Sequence, residues 1–207
     1  MIARSRRFLS SYGDCTMIHP LALVDDVNAI GPDTNVWAFA HIMSGATVGN
    51  HCNIGDHAFI ESGAVVGDYV TVKNHVLIWE GITIDDNVFL GPGVVFTNDR
   101  FPRSPRMMIA QHRYSDRANW LVKTRVHRGS SIGASATLCP GIEIGCFSMV
   151  GAGSVVTKNV LPYSLVMGSP ARHVHYVCSC GQKLTADYRT STCCHCGETG
   201  QERVMPS

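Results

Sequence analysis

The chain has 207 residues, a formal net charge of +1, 45% hydrophobic residues and 16% charged ones. So balanced a charge leaves no cationic field for tracking nucleic-acid phosphates, and no apolar run approaches the length that spans a bilayer. The length suits one domain with a real core plus a small appendage, and five of the 9 cysteines crowd into the last thirty residues, a metal-ligand pattern that fits a reduced compartment better than a disulfide framework.

Residues 1–16 lack the repeat that follows. Arg4, Arg6 and Arg7 among Ser5, Ser10 and Ser11 faintly resemble an organelle transit segment, but Met17-Ile18-His19-Pro20 reads as a natural first coil, so 1–16 are expected to be a disordered or capping extension. From Ile18 to Phe96 every sixth residue is apolar, through Val24, Ile30, Val36, Ile42 and onward. Four places after each sits a second, mostly compact residue such as Ala40, Ala46, Cys52, Ala58 or Ala64, with Asn28 and Ile82 as departures. Two inward positions per six residues is neither a helical nor a simple strand period. It predicts an all-β parallel β-helix, with three hexads to a coil of about eighteen residues and coils stacked at ~4.8 Å. Gly often follows the large aliphatic, as at Gly31, Gly49, Gly55, Gly67 and Gly91, and is expected there because a tight turn favours a residue without Cβ.

After Phe96 the register stops, and residues 99–125 form a polar excursion rich in Arg and Pro. A loop this long inside a compact repeat is uncommon unless it is functional or disordered. The hexads resume at Val126 and run through Ile132, Leu138, Ile144, Val150 and Val156 to end at Pro162. If the excursion is simply looped out, Val126 should stack on Ile84 and Leu138 on Phe96.

The hexads resemble those of left-handed β-helix acyltransferases, and the left hand is implied by that resemblance. The segment Val156–Arg172, VTKNVLPYSLVMGSPAR, is similar to the closing coil of hexapeptide acetyltransferases. The resemblance implies an acetyl-CoA groove there, with Lys158 and Arg172 near the cofactor phosphates. It also implies that Gly133, Ala134, Gly151 and Ala152 offer backbone groups and room for the pantetheine arm. Solvated corner charges are the plainer reading of the two cations.

Phe96-Thr97-Asn98-Asp99-Arg100-Phe101-Pro102-Arg103 narrows the choice. It resembles a segment of bacterial N-acetyltransferases acting on nucleotide-linked 3-amino sugars, and the likeness runs from Ile18 to Val174. Asn98, Glu80 and Ser62 stand eighteen apart and could stack along one ridge. Glu80 lies in Trp79-Glu80-Gly81, similar to an aromatic-acid-Gly segment that contacts substrate, although Trp79 stands where Tyr is frequent. The resemblance implies a substrate site of Glu80, Asn98, Asp99, Arg100 and Arg103, with Asn98 positioning and polarising the reacting groups. A turn-forming Asn is the plainer alternative. His75 is the candidate base, with Glu80 behind it, although His57 and His75, eighteen apart, also read as surface residues on one corner. The expected activity is acetyl-CoA-dependent 3-N-acetylation of a UDP- or dTDP-linked amino sugar for cell-surface polysaccharide or O-antigen precursors, by a cytoplasmic homotrimer without nucleic-acid or membrane partners. Another small acceptor, or a non-catalytic assembly subunit, is the alternative. A zinc carbonic anhydrase on this fold needs a His pair five residues apart, which is missing.

The tail, 175–207 beyond a β-helix unit of 17–174, holds Cys178-Ser179-Cys180-Gly181 and Cys193-Cys194-His195-Cys196-Gly197. Two Cys pairs each ending in Gly resemble a zinc ribbon with Cys178, Cys180, Cys193 and Cys196 as ligands and Cys194 as a spare. The first pair has one intervening residue where two is usual, which keeps disulfides or free thiols open.

Overall fold

A computed structural model describes residues 16–204; Cys15 and nearly all of the proposed N-terminal extension lie outside them. Three sheets of nine, seven and five strands, parallel throughout except for the last strand of the first, form the sides of a triangular prism, the β-helix expected from the hexads and left-handed as the family resemblance implies. Most strands are two residues long, too short to stand alone, and each is paired to the strand one coil away, beginning with Met17 on Asn35 and Ile18 on Val36. The excursion leaves that register intact: Ile84 pairs with Val126 and Phe96 with Leu138.

Inward residues form one continuous core along the prism axis, with Ile54, Ile60, Ile78, Leu90, Phe96 and Ile132 all fully buried. Ile82 joins it as part of a longer strand, Ile82–Ile84. Asn28 does not. It is exposed in a 3-10 turn, Val27–Ala29, whose Asp26 cap accepts the Asn28 backbone N–H at 3.0 Å, so the first coil is incomplete on one side.

The glycines after the large aliphatics have a different cause from the one expected. The left-handed backbone occurs two residues later, at Gly45, Gly63 and Gly81 and also at Phe39, His57 and His75. Gly49 itself has no such φ; a Cβ there would meet the Gly67 carbonyl carbon and oxygen of the next coil at 2.6 Å. It is the stack that excludes the side chain. Beside these glycines runs a polar ladder in which Asp68 Oδ1 accepts from Asn50 N and Asp86 Oδ1 from Asp68 N, each at 2.8 Å.

The far end is closed differently. The last coil is shortened, with Val160 bridging to Ile144 and Val166 paired on Val150. Ser164–Gly168 then turns back antiparallel on Ala171–Tyr176, which covers the open sheet edge. The Cys-rich unit follows from Val177.

Gly49→Ala should therefore destabilise the fold by about 1–3 kcal/mol through overpacking against backbone. Gly153→Ala, with φ +67 but nothing within 4 Å of its Cβ, should cost only the ~1–2 kcal/mol of left-handed backbone. Chemical denaturation of both variants checks the order; equal losses would remove the stacking explanation.

Candidate functional site

The hexad turns place chemistry on corners. Ser62, Glu80 and Asn98 each follow a strand of the second sheet and stand on the corner between the second and third sheets, and further along the same corner come Pro140 and Lys158. Asn98 and Lys158 are two coils apart, ~10 Å at the spacing of stacked strands.

Asn98 is half-buried. Its Nδ2 donates to the Glu80 carbonyl oxygen at 3.1 Å, and its own backbone carbonyl accepts from Val122 N at 2.8 Å, so the outgoing and returning chain of the excursion meet at its base. An Asn amide has two N–H donors and an acceptor, which leaves one donor and Oδ1 for a ligand. Glu80 receives Arg117 Nη1 on Oε1 at 2.9 Å, and its backbone N–H donates to Glu61 Oε2 at 2.8 Å. Leu121 packs over Gly81, where a Cβ would come within 3.1 Å of it. The excursion thus covers the Glu80 turn.

Asp99 is the anchor of that excursion. Its carboxylate accepts from Phe101 N at 2.8 Å, Tyr114 OH at 2.8 Å and Arg113 Nη1 at 2.9 Å. Tyr114 OH accepts Arg103 N at 2.8 Å, and Arg113 also donates to the Phe101 carbonyl at 2.6 Å. Arg113 and Tyr114 end the helix Met108–Tyr114, an ordered element where the sequence led us to expect irregular chain. With both oxygens engaged, Asp99 has little left for a substrate. Arg100 and Arg103 are exposed, and the Arg100 guanidinium lies over Gly141 on the same corner as Asn98 and Lys158.

His75 stands elsewhere, on the corner between the first and second sheets. Its exposed ring stacks on His57, and His57 on Phe39, each at 4.9 Å and 16°. Gly133, Ala134, Gly151 and Ala152 follow strands of the first sheet and share that corner. Their glycines are occupied by the stack, since a Cβ on Gly133 would lie 2.8 Å from Ala152 Cα and one on Gly151 2.6 Å from Met167 Cγ. Lys158 and Arg172 instead line one cleft of about 300 Å³, together with Asn159, Ser164 and His173. No acidic residue lines it, so it suits an anion. Arg113, Tyr114, Arg117 and His173 complete these surroundings; the sequence assigns them no role, because nothing periodic ties the excursion or the closing strand Ala171–Tyr176 to the coils they cover.

Cys178, Cys180, Cys193 and Cys196 bring their sulfurs within 4.8 Å of one another, and among the described residues no other group of three or more His, Cys, Asp or Glu could hold an ion. No described helix is long and apolar enough to cross a membrane.

Fold and repeat define a hexapeptide-repeat parallel β-helix. The model for the bacterial transferase hexapeptide (six repeats) matches residues 29–62, and that for the hexapeptide repeat of succinyl-transferase matches 125–158. Over 76 residues the chain is 45% identical to the dTDP-3-amino-3,6-dideoxy-alpha-D-galactopyranose 3-N-acetyltransferase of Aneurinibacillus thermoaerophilus, a stretch covering 37% of this chain and 39% of that protein. It is 46% identical over 43 residues to a chloramphenicol acetyltransferase of Morganella morganii, covering 21% and 20%. The match thus spans two fifths or less of these curated relatives. Among solved structures, the acetyltransferase domain of PglB from Neisseria gonorrhoeae, in complex with acetyl coenzyme A, superposes with a TM-score of 0.53 at 20% identity, covering 77% of this chain and 57% of that one.

The Asp99 carboxyl is held below its usual range: burial alone would raise it, but the Arg113, Phe101 N–H and Tyr114 hydrogen bonds outweigh burial. A depressed carboxyl contributes order above its unfolded value of about 3.9 and loses it as pH falls through the folded value. Hydrogen exchange across 99–125 should therefore be insensitive to this group from about pH 5 to 8, with extra opening only below about pH 4. Asp99→Asn should open the loop at neutral pH, read as faster tryptic cleavage at Arg100, Arg103 and Arg106 with the coils intact; unchanged cleavage would remove Asp99 as the anchor.

Proposed function

We propose that this protein transfers the acetyl group of acetyl-CoA to the 3-amino group of a UDP- or dTDP-linked amino sugar. The observation that carries the reading is the 45% identity over 76 residues with a dTDP-3-amino-sugar 3-N-acetyltransferase. In support, Asn98 and Glu80, under the excursion, stand on the same corner of the prism as Lys158, which lines the cationic cleft. Lys158, Arg172 and His173 would receive the phosphates of the cofactor, and exposed Arg100 and Arg103 the pyrophosphate of the sugar nucleotide.

The chemistry asks little of a protein acid. A neutral amine attacks the thioester carbonyl, charge gathers on its oxygen, and the departing thiolate has a conjugate acid near pKa ~8.5, by analogy with Cys. The remaining N–H of Asn98 can donate to the forming oxyanion, while the Glu80 carbonyl holds the amide in its rotamer. Asp99 acts through the loop, by keeping Arg103 and Tyr114 in place.

A side-by-side homotrimer, working in the cytoplasm, completes the proposal. The outer face of the second sheet supports it: Leu23, Phe59, Leu77, Val95 and Val155 all point outward in one line, and Leu23 is 55% exposed. That sheet separates the His75 corner from the Asn98 corner, so His75 reaches an Asn98 site only across a subunit boundary.

Asn98→Ala should lower kcat by ~10-fold to ~1000-fold with little change in acetyl-CoA affinity, the scale of one lost oxyanion donor. Thiol release from acetyl-CoA with a panel of UDP- and dTDP-linked 3-amino sugars measures it; wild-type kinetics would move the acceptor pocket elsewhere. If His75 takes the amine proton from the neighbouring subunit, mixed trimers of His75→Ala and Asn98→Ala chains should regain part of the activity that either variant lacks. Mixtures no more active than their parents, with trimers verified by light scattering, would remove His75 from the site.

A further inference from the structure

Acyl transfer at the Asn98 corner asks nothing of the C-terminal unit. We infer that Cys178, Cys180, Cys193 and Cys196 hold one zinc ion, that the buried Arg203 offsets the charge of the thiolates, and that the ion fastens this unit to the last coil.

The donor set has the shape the ion requires. Cys178 and Cys196 sulfurs are 3.6 Å apart, and Cys180 and Cys193 sulfurs 3.8 Å. A tetrahedron of Zn–S bonds of about 2.3 Å has edges of ~3.8 Å, whereas a disulfide needs about 2.05 Å. Each Cys pair sits in a tight glycine turn: Gly181 N donates to the Cys178 carbonyl at 2.8 Å and Gly197 N to that of Cys193 at 2.9 Å, with φ of +85 and +80. Nor could the unit rest on packing alone. Its buried cluster is Tyr163, Cys178, Leu184, Tyr188 and Cys193, and two of these five are sulfur donors. Units this small usually need a metal or disulfides.

Arg203 is the second, independent observation. Its side chain is fully buried, and it donates to the carbonyls of Tyr188 at 2.9 Å, Ser191 at 2.8 Å and Glu198 at 2.7 Å and to Glu198 Oε2 at 3.1 Å. Nη2 also lies 3.5 Å from Cys178 Sγ. Four thiolates around Zn²⁺ leave two negative charges, and a buried guanidinium beside them offsets part of that excess. Cys178 Sγ stands 2.8 Å from Glu198 Oε2 as a thiol donor. Loading releases that proton to solvent, and Ser179 Oγ and Arg203 retain the Glu198 carboxylate.

The unit is joined to the solenoid through rings. Tyr188 stacks on Tyr163 at 5.0 Å and Tyr163 on Phe147 at 5.3 Å, while Tyr163 OH donates to the Arg203 carbonyl at 3.1 Å. The strand Ala171–Tyr176, which carries Arg172 and His173, runs through Val177 into Cys178.

The test uses the full-length protein, gel-filtered in a weak chelator. Elemental analysis should give about one zinc per chain, and mercurial titration should release it with four thiols. Absence of metal, iron in its place, or two disulfides by mass would overturn the site. Cys178→Ser/Cys196→Ser should lose the zinc while hexad amides stay protected, and exchange should rise across 177–204; unchanged exchange there would overturn the fastening role. Arg203→Met should weaken zinc binding by about 10–100-fold, as loss of an outer-shell partner does, with Arg203→Lys in between. Wild-type affinity in Arg203→Met would overturn the charge role.

Discussion

Everything in this molecule depends on one coil lying squarely on the next. A two-residue strand has no stability of its own, and the backbone N–H of Phe59 or Thr71 is satisfied only by a carbonyl of the next coil, that of Val76 or Val88. That requirement dictates the inward ladder of aliphatics, the small partner four places later, and glycine wherever the neighbouring coil's backbone comes too close for a Cβ. It also explains how a long excursion is tolerated. The chain leaves after Asn98, and Thr124–Val126 returns to the row above Ile82–Ile84.

The same constraint turns the prism into a ruler for chemistry. Side chains at equal places in successive coils are fixed about one strand spacing apart along a corner, so polar groups there form rows without any dedicated scaffold. Glu80, Asn98 and Lys158 form such a row, and its interior side is rigid core. The excursion is added on one side only, tied within itself by the Asp99 carboxylate with its Arg and Tyr partners and to the coils by Arg117 on Glu80. A fixed row under an ordered cover suits the proposed acyl transfer, which must align two large substrates before a bond forms.

The fold was legible in the sequence because periodicity reports stacking directly. The corner of every residue in the hexads was legible too. Counting in eighteens places Asn98 with Glu80 and His75 with His57, and within one chain the two sets never coincide. The glycines were found at the right places for another reason than theirs, since a Gly that yields to a neighbour's backbone and a Gly in a left-handed turn are one letter. Within 99–125 there was no period to read. The pairing of Asp99 with Arg113, and of Glu80 with Arg117, is set by how a short helix folds back on the coil, a tertiary fact that no spacing encodes.

A solenoid has two ends, and these are treated unequally. At the start the first coil is open beside Asn28, with a capped 3-10 turn in place of an inward residue. At the other end the antiparallel return of Ala171–Tyr176 pairs the exposed edge, and the ring column Phe147–Tyr163 continues into Tyr188 of the appended unit. That column occupies the corner where Asp33, His51, Tyr69 and Asn87 hold the same left-handed turn in earlier coils, and His51 and Tyr69 already stack there at 4.7 Å. The C-terminal unit therefore docks by extending a device the repeat uses internally. Because the strand it secures also carries Arg172 and His173, the closure of the fold and the rim of the cationic cleft are one piece of structure.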